Sequence, residues 1–99
     1  MYNKDSKGKK PICEVLRLLR ISNDLSIKEL SEKSRISASY IAEIENGSRE
    51  SPSIDIIDKY SKALNVSKAT IMFFEEDLSD KKYDYKGMLI KILQKISVS

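Results

Sequence analysis

From Pro11 onward, apolar residues recur at intervals of three and four, the repeat of one face of an α-helix. Ile12, Leu16 and Leu19 mark a first helix, and Val15 widens its stripe. Pro11 suits its opening, because the first N–H of a helix has no partner to lose. Asn23-Asp24 interrupts the pattern. Ser26 and Glu29 then have the spacing of a capping box, with Leu25 and Leu30 arranged as a hydrophobic staple, so a short second helix is predicted from about Ile27 to Ser34. Ser37 caps a third helix that ends at Asn46-Gly47, a pair that tolerates the left-handed conformation beyond a helix end. After a loop at 48–52, a fourth helix begins near Pro52-Ser53, with Ile54, Ile57, Tyr60, Ser61 and Leu64 assigned to its inner face; Asn65 ends it. Ser67 caps a fifth, expected to run through Phe74 and to give way to the acidic cluster Glu75-Glu76-Asp77. A last stripe, Tyr85, Met88, Leu89, Ile92, Leu93 and Ile96, predicts an amphipathic helix over about 84–98. No segment alternates as a strand does, and no internal repeat is evident. The expected fold class is all-α.

Composition narrows the chemistry. Ninety-nine residues, 40% of them hydrophobic, are enough for one modest core. There is no His, so the commonest metal ligand and general base is missing, and no Gly-rich phosphate loop or paired acids stand in its place. An enzyme is not expected, and neither a cofactor nor a metal is implied. Cys13 is the single cysteine, which excludes a disulfide framework and fits a reducing, cytoplasmic setting. It reads as a small, partly buried filler. The apolar runs are too short to span a membrane, and the start of the chain lacks the apolar stretch of a signal peptide.

The net charge of +3 is mild, but it is unevenly placed. Residues 1–35 hold nine Lys/Arg against five Asp/Glu, and residues 36–99 hold nine against ten. Four lysines fall within residues 1–10, which have no periodicity and read as a flexible basic arm. The domain organisation predicted is therefore an arm (1–10), a helical domain (11–78) and a C-terminal helix (79–99).

Two short helices joined by a tight turn outline a helix-turn-helix. At about 100° per residue, Ile41, Ile44 and Glu45 share one side of the third helix. Ser39, Glu43 and Asn46 share the other, with Tyr40 and Ala42 on the flanks. That outward face suits a major groove, and equally a plain solvated surface.

Residues 12–74 resemble the Xre-type (Cro and lambda-repressor-like) helix-turn-helix family, and small repressors of the SinR kind in particular. Leu16, Leu19 and Arg20 match in the first helix, Leu25-Ser26 and Glu29-Leu30 in the second. Ile36-Ser37, Ser39-Tyr40-Ile41 and Ile44-Glu45-Asn46-Gly47 match in the third, followed by Pro52-Ser53-Ile54 and Leu64-Asn65-Val66-Ser67. The resemblance implies a five-helix domain, here with an added C-terminal helix, whose third helix reads double-stranded DNA, commonly as a dimer on a palindromic operator. Three positions depart from it: Ile27 where Gln is frequent, Ser31 where Ala is usual, and Arg35 where the turn usually carries Gly.

On that resemblance, Ser37, Ala38, Ser39, Tyr40 and Glu43 face bases. Ser26, Lys28, Asn46, Ser48 and Arg49 face phosphate, with Arg35 adding rim charge. Arg20 and Glu45 match charged positions that pair in the family. Met88, Leu89, Ile92, Leu93 and Ile96 need a cover, either from a second copy of the chain or from the chain itself; a homodimer interface is the preferred reading. The function expected is a sequence-specific regulator of transcription, a repressor. The alternative is a protein-interaction module, such as an antitoxin or a mobile-element partner, whose C-terminal helix binds another protein.

Overall fold

The computed structural model describes residues 10–49 and 51–79. The arm up to residue 9 and the predicted last helix, with Met88, Leu89, Ile92, Leu93 and Ile96, lie outside the described residues. Within them there are five helices and no strand: α1 (Pro11–Ser22), α2 (Ile27–Ser34), α3 (Ala38–Asn46), α4 (Ile54–Leu64) and α5 (Lys68–Ser79).

Each of α2 to α5 opens on a serine. The hydroxyls of Ser26, Ser37, Ser53 and Ser67 accept the backbone N–H three residues on, at 3.0–3.2 Å. A cap of this kind is worth about 1 kcal/mol. At α2 the box is complete, since Glu29 Oε1 also accepts the Ser26 N–H at 2.8 Å. The bonds from Ser26 hold the Glu29 carboxyl below its ordinary range.

α1 is the central element. Ile12, Cys13, Val15, Leu16, Leu18 and Leu19 are all buried, and the helix packs on α5, α3 and α4. Cys13 is wholly inside rather than partly buried. Leu30, Ile36, Ile41, Ile44, Ile56, Ile57, Tyr60, Leu64, Ile71 and Phe74 complete one core.

Two expectations are corrected. Ile54 does not face inward: it is 78% exposed, and Ile56 takes its place in the core. Ile54 is the first residue of α4, where the helix projects past the core's edge, and the buried stripe runs 56, 57, 60 and 64. The fifth helix does not stop at Phe74 but continues through the acidic cluster to Ser79. Leu78 lies on the Ile71–Phe74 stripe and packs against the core. The added turn thus buries apolar surface while its acids stay at the boundary.

The turn between α2 and α3 is held by side chains. Ser31 Oγ donates to the Ile36 carbonyl at 2.6 Å, and the buried Ser34 Oγ accepts the Ile36 N–H at 3.2 Å. These bonds explain Ser31 where Ala is usual: its hydroxyl closes the turn. Between them Arg35 takes the left-handed conformation at φ 66°, the cost of which a glycine would not bear. The turn from α4 to α5 repeats the design. Ser61 Oγ donates to the Val66 carbonyl at 2.6 Å, Asn65 is left-handed at φ 56°, and Ser67 caps the next helix.

Candidate nucleic-acid interface

The third helix is fixed by its inward side. Ile41 and Ile44 are fully buried, and the Glu45 carboxylate enters the core between three elements. Arg20 of α1 meets it fork to fork, with Nε at 3.0–3.1 Å from both oxygens and Nη2 at 2.9 Å from Oε1. The remaining guanidinium arm donates from Nη1 to the Leu25 carbonyl at 2.7 Å. Tyr60 of α4 donates its hydroxyl to Glu45 Oε2 at 3.0 Å. A charge at this depth is tolerable only when paired and fully hydrogen-bonded, and here both oxygens of the carboxylate are engaged. Burial, then the negative charge of Glu45 and its hydrogen bond, push the Tyr60 phenol far above its ordinary value of 10.0. The net result is a third helix tied at one residue to α1, to the α1–α2 loop and to α4.

Sequence reading paired Arg20 with Glu45 but missed Tyr60 as the third member. The available signal was a tyrosine among isoleucines and leucines, whose hydroxyl must find a partner once buried.

The opposite side of α3 is open. Ser37, Ala38, Ser39 and Asn46 are exposed, and Tyr40, Ala42 and Glu43 lie at intermediate depth. The first turn carries no acid, so the positive end of the helix is left unneutralised. Beyond Gly47, left-handed at φ 80°, the loop folds back on the helix. Ser48 N–H donates to Asn46 Oδ1 at 2.8 Å and to the Glu43 carbonyl at 3.1 Å, which leaves the Asn46 amide nitrogen as a donor. Arg49 returns over α3: its Nε donates to Glu43 Oε1, and its guanidinium carbon sits 4.5 Å from the centre of the Tyr40 ring. At the rim, Ser26, Lys28 and Arg35 are exposed beside the α2 terminus and the turn. A shallow hollow lined by Arg17, Arg20, Ile27, Ala42, Glu45 and Asn46 separates that rim from α3. Ile27, at the position where Gln is frequent, packs half-buried against the core rather than offering a polar group.

A sequence profile of the helix-turn-helix family matches residues 16–71. The chain belongs to the helix-turn-helix family. Membership gives its class of function: a DNA-binding regulator of transcription. The helix-turn-helix chain is similar in structure to the clp gene regulator ClgR from Corynebacterium glutamicum. One crystal structure of that protein superposes with a TM-score of 0.64 at 27% identity, covering 71% of this chain and 90% of the other. A second gives 0.63 at 23% identity over 92% and 86%, a likeness of fold alone. No curated protein sequence matches the chain. Among the described residues of this helix-turn-helix protein, no helix is long and apolar enough to cross a membrane.

Proposed function

We propose that this protein represses transcription in the cytoplasm, binding a palindromic operator as a homodimer with the outward face of α3 in the major groove. One observation carries the reading: α3 is clamped from behind by Glu45, Arg20 and Tyr60, while the other side of the same helix stays open to a partner. A rigid helix with a short polar face is what base readout needs. Ser37, Ala38, Ser39, Tyr40 and Glu43 lie on or beside that face. Ser26, Lys28, Asn46 and Ser48 frame it at the height of the phosphates, and Arg35 adds charge at the edge. The dimer rests on the apolar stripe Met88 to Ile96, together with Met72 and Phe73, which α5 leaves 40% and 53% exposed.

Operator selection from random duplexes tests the reading. A consensus with two related half-sites about one helical turn apart supports it. Binding that ignores sequence contradicts it. In a reconstituted transcription reaction, addition of the protein should silence a promoter that overlaps the selected operator; stimulation would make it an activator. Sedimentation at tens of micromolar should show a dimer, and a chain cut after Asp80 should be a monomer. Truncated chains that still dimerise would move the interface elsewhere.

The exposed Met72 and Phe73 also favour a second reading, in which this end of the protein receives a different protein. Sedimentation of the full chain as a monomer would favour that partner over a second copy.

A further inference from the structure

The geometry points to Arg49 as a guanine-reading residue, held ready for the base by Glu43 and Tyr40 rather than placed at a phosphate. This rests on the proposal that α3 enters the major groove.

The resemblance to known repressors puts Arg49 on a phosphate, and its loop position alone agrees with that. The side-chain arrangement does not. Arg49 turns back over the helix and is fixed at two points: its Nε–H donates to the Glu43 carboxylate, and its face lies 4.5 Å from the Tyr40 ring centre. Tyr40 belongs to the first turn of α3 and Glu43 to the second. The guanidinium therefore lies against α3 itself, between Glu43 of the outward face and Tyr40 on its flank, rather than out on the loop. The pair is open to a ligand, with side chains 53% and 44% exposed.

Charge separates the two roles. A phosphate anchor works through net positive charge and the counterions it releases. Arg49 beside Glu43 is a neutral pair, and the carboxylate would repel a phosphate brought against it. Neutrality does not weaken directional donation. With Nε engaged, the Nη1 and Nη2 amino groups have no acceptor among the described residues. They offer two N–H donors side by side in one plane. In the major groove, two adjacent acceptors of matching geometry are O6 and N7 of guanine. A lysine could not supply that fork. The ring below and the carboxylate beside it also reduce the rotamer freedom Arg49 must lose on binding, which is how a flexible side chain becomes selective. The acid on the recognition face thereby acquires a use. Glu43 orients the reader.

The test is operator selection and titration with the full chain, at fixed salt and again across a salt series. The wild type should select one invariant guanine per half-site. Replacing that G·C pair should weaken wild-type binding roughly 5- to 150-fold. The double variant Glu43→Gln/Arg49→Gln keeps the net charge constant. It should lose that discrimination while the slope of log affinity against log salt stays as in the wild type. Glu43→Gln alone should also lower the guanine preference, although it makes the face more positive. Tyr40→Phe should retain the preference, because the ring remains, and Tyr40→Ala should not. Glu43 and Arg49 are open to solvent, Tyr40 is half-buried against the core, and thermal melting verifies that each variant folds.

The proposal is overturned if the double variant keeps the guanine preference. It is overturned equally if that variant binds all sequences uniformly more weakly, with a slope reduced by about one per subunit, the mark of a lost phosphate contact. A Glu43→Gln protein that binds every sequence more tightly with its preference intact would make Glu43 a simple repeller of DNA and also overturn it. A wild type that selects no sequence at all refutes the regulator reading itself, and this inference falls with it.

Discussion

At the scale of single residues, the fold and the function meet at Glu45. Its carboxylate is 4% exposed and bridges Arg20 and Tyr60. Removing it in Glu45→Ala strands the Arg20 guanidinium, which is only 13% exposed, and deprives the Tyr60 hydroxyl of its acceptor. The expected loss is about 3 kcal/mol, a fall in melting temperature on the order of 12 °C or more for a domain of this size. A melting temperature equal to the parent's would reduce the pair to a surface contact. The same site predicts an alkaline limit. Below pH 10 the phenol of Tyr60 is neutral in folded and unfolded chains alike, so it leaves stability unchanged. Above the ordinary value of 10.0 the unfolded chain ionises first while the folded phenol, raised by burial and by Glu45, stays neutral. Stability should therefore fall as pH rises past 10, and phenolate absorbance from Tyr60 should appear only with unfolding. Phenolate from every tyrosine before the helical signal is lost would contradict this. On the acid side the signs reverse. Glu29 is held down by its bonds to Ser26, and Asp58 by Lys62 and then Lys68, so their contributions are complete above the ordinary carboxylate values of 4.5 and 3.8 and fade below them.

At the scale of elements, helix starts were plain in the sequence because they are chemical. A serine followed by an N–H to be satisfied marks α2 to α5, and each boundary falls where that chemistry puts it. Ends and faces were harder. Ile54 shares a helical repeat with Ile57 and Ser61, and Ile56 one with Tyr60 and Leu64, and only the position of the core's edge decides between them. The charge of Glu75-Glu76-Asp77 looked like a stop, but Leu78 completes the stripe that begins at Ile71 and carries the helix onward. The repeated turn, Ser31 to Ser37 and Ser61 to Ser67, has little sequence identity. What it shares is a hydroxyl, a left-handed residue, an aliphatic packed on or in the core and a serine cap, visible as a motif only once the bonds are drawn. The site divides in the same way. The open face of α3 followed from a helical wheel, but the stacking of Arg49 on Tyr40 depends on how the loop after Gly47 returns, which periodicity does not encode. Arg35→Gly tests the turn directly. Relief of the left-handed strain should stabilise the protein by about 1 kcal/mol, partly offset by the greater freedom of glycine in the unfolded chain. A lower melting temperature would show that the Arg35 side chain contributes more than its backbone costs.

At the scale of the whole molecule, the proposed function divides the work of binding between positive charge near the front of the chain and the outward face of α3. In the proposed mode of binding, the lysines of residues 1–10 and the rim set attraction and the face of α3 sets choice. For a dimer neutralising about four to six phosphates per subunit, the slope of log affinity against log salt should lie near −7 to −11. Deleting residues 1–10 should flatten that slope and leave the preferred operator unchanged; a changed operator would make the arm a reader of sequence. The most direct measurement compares affinity for the selected operator with affinity for unrelated duplex at one salt concentration, in the wild type and in Ser39→Ala/Tyr40→Ala. The ratio expected for the wild type is on the order of 10³ or more, collapsing in the variant while its binding to unrelated duplex persists. A ratio near one in the wild type, or a ratio that survives the loss of both side chains, would contradict sequence reading by the outward face of α3.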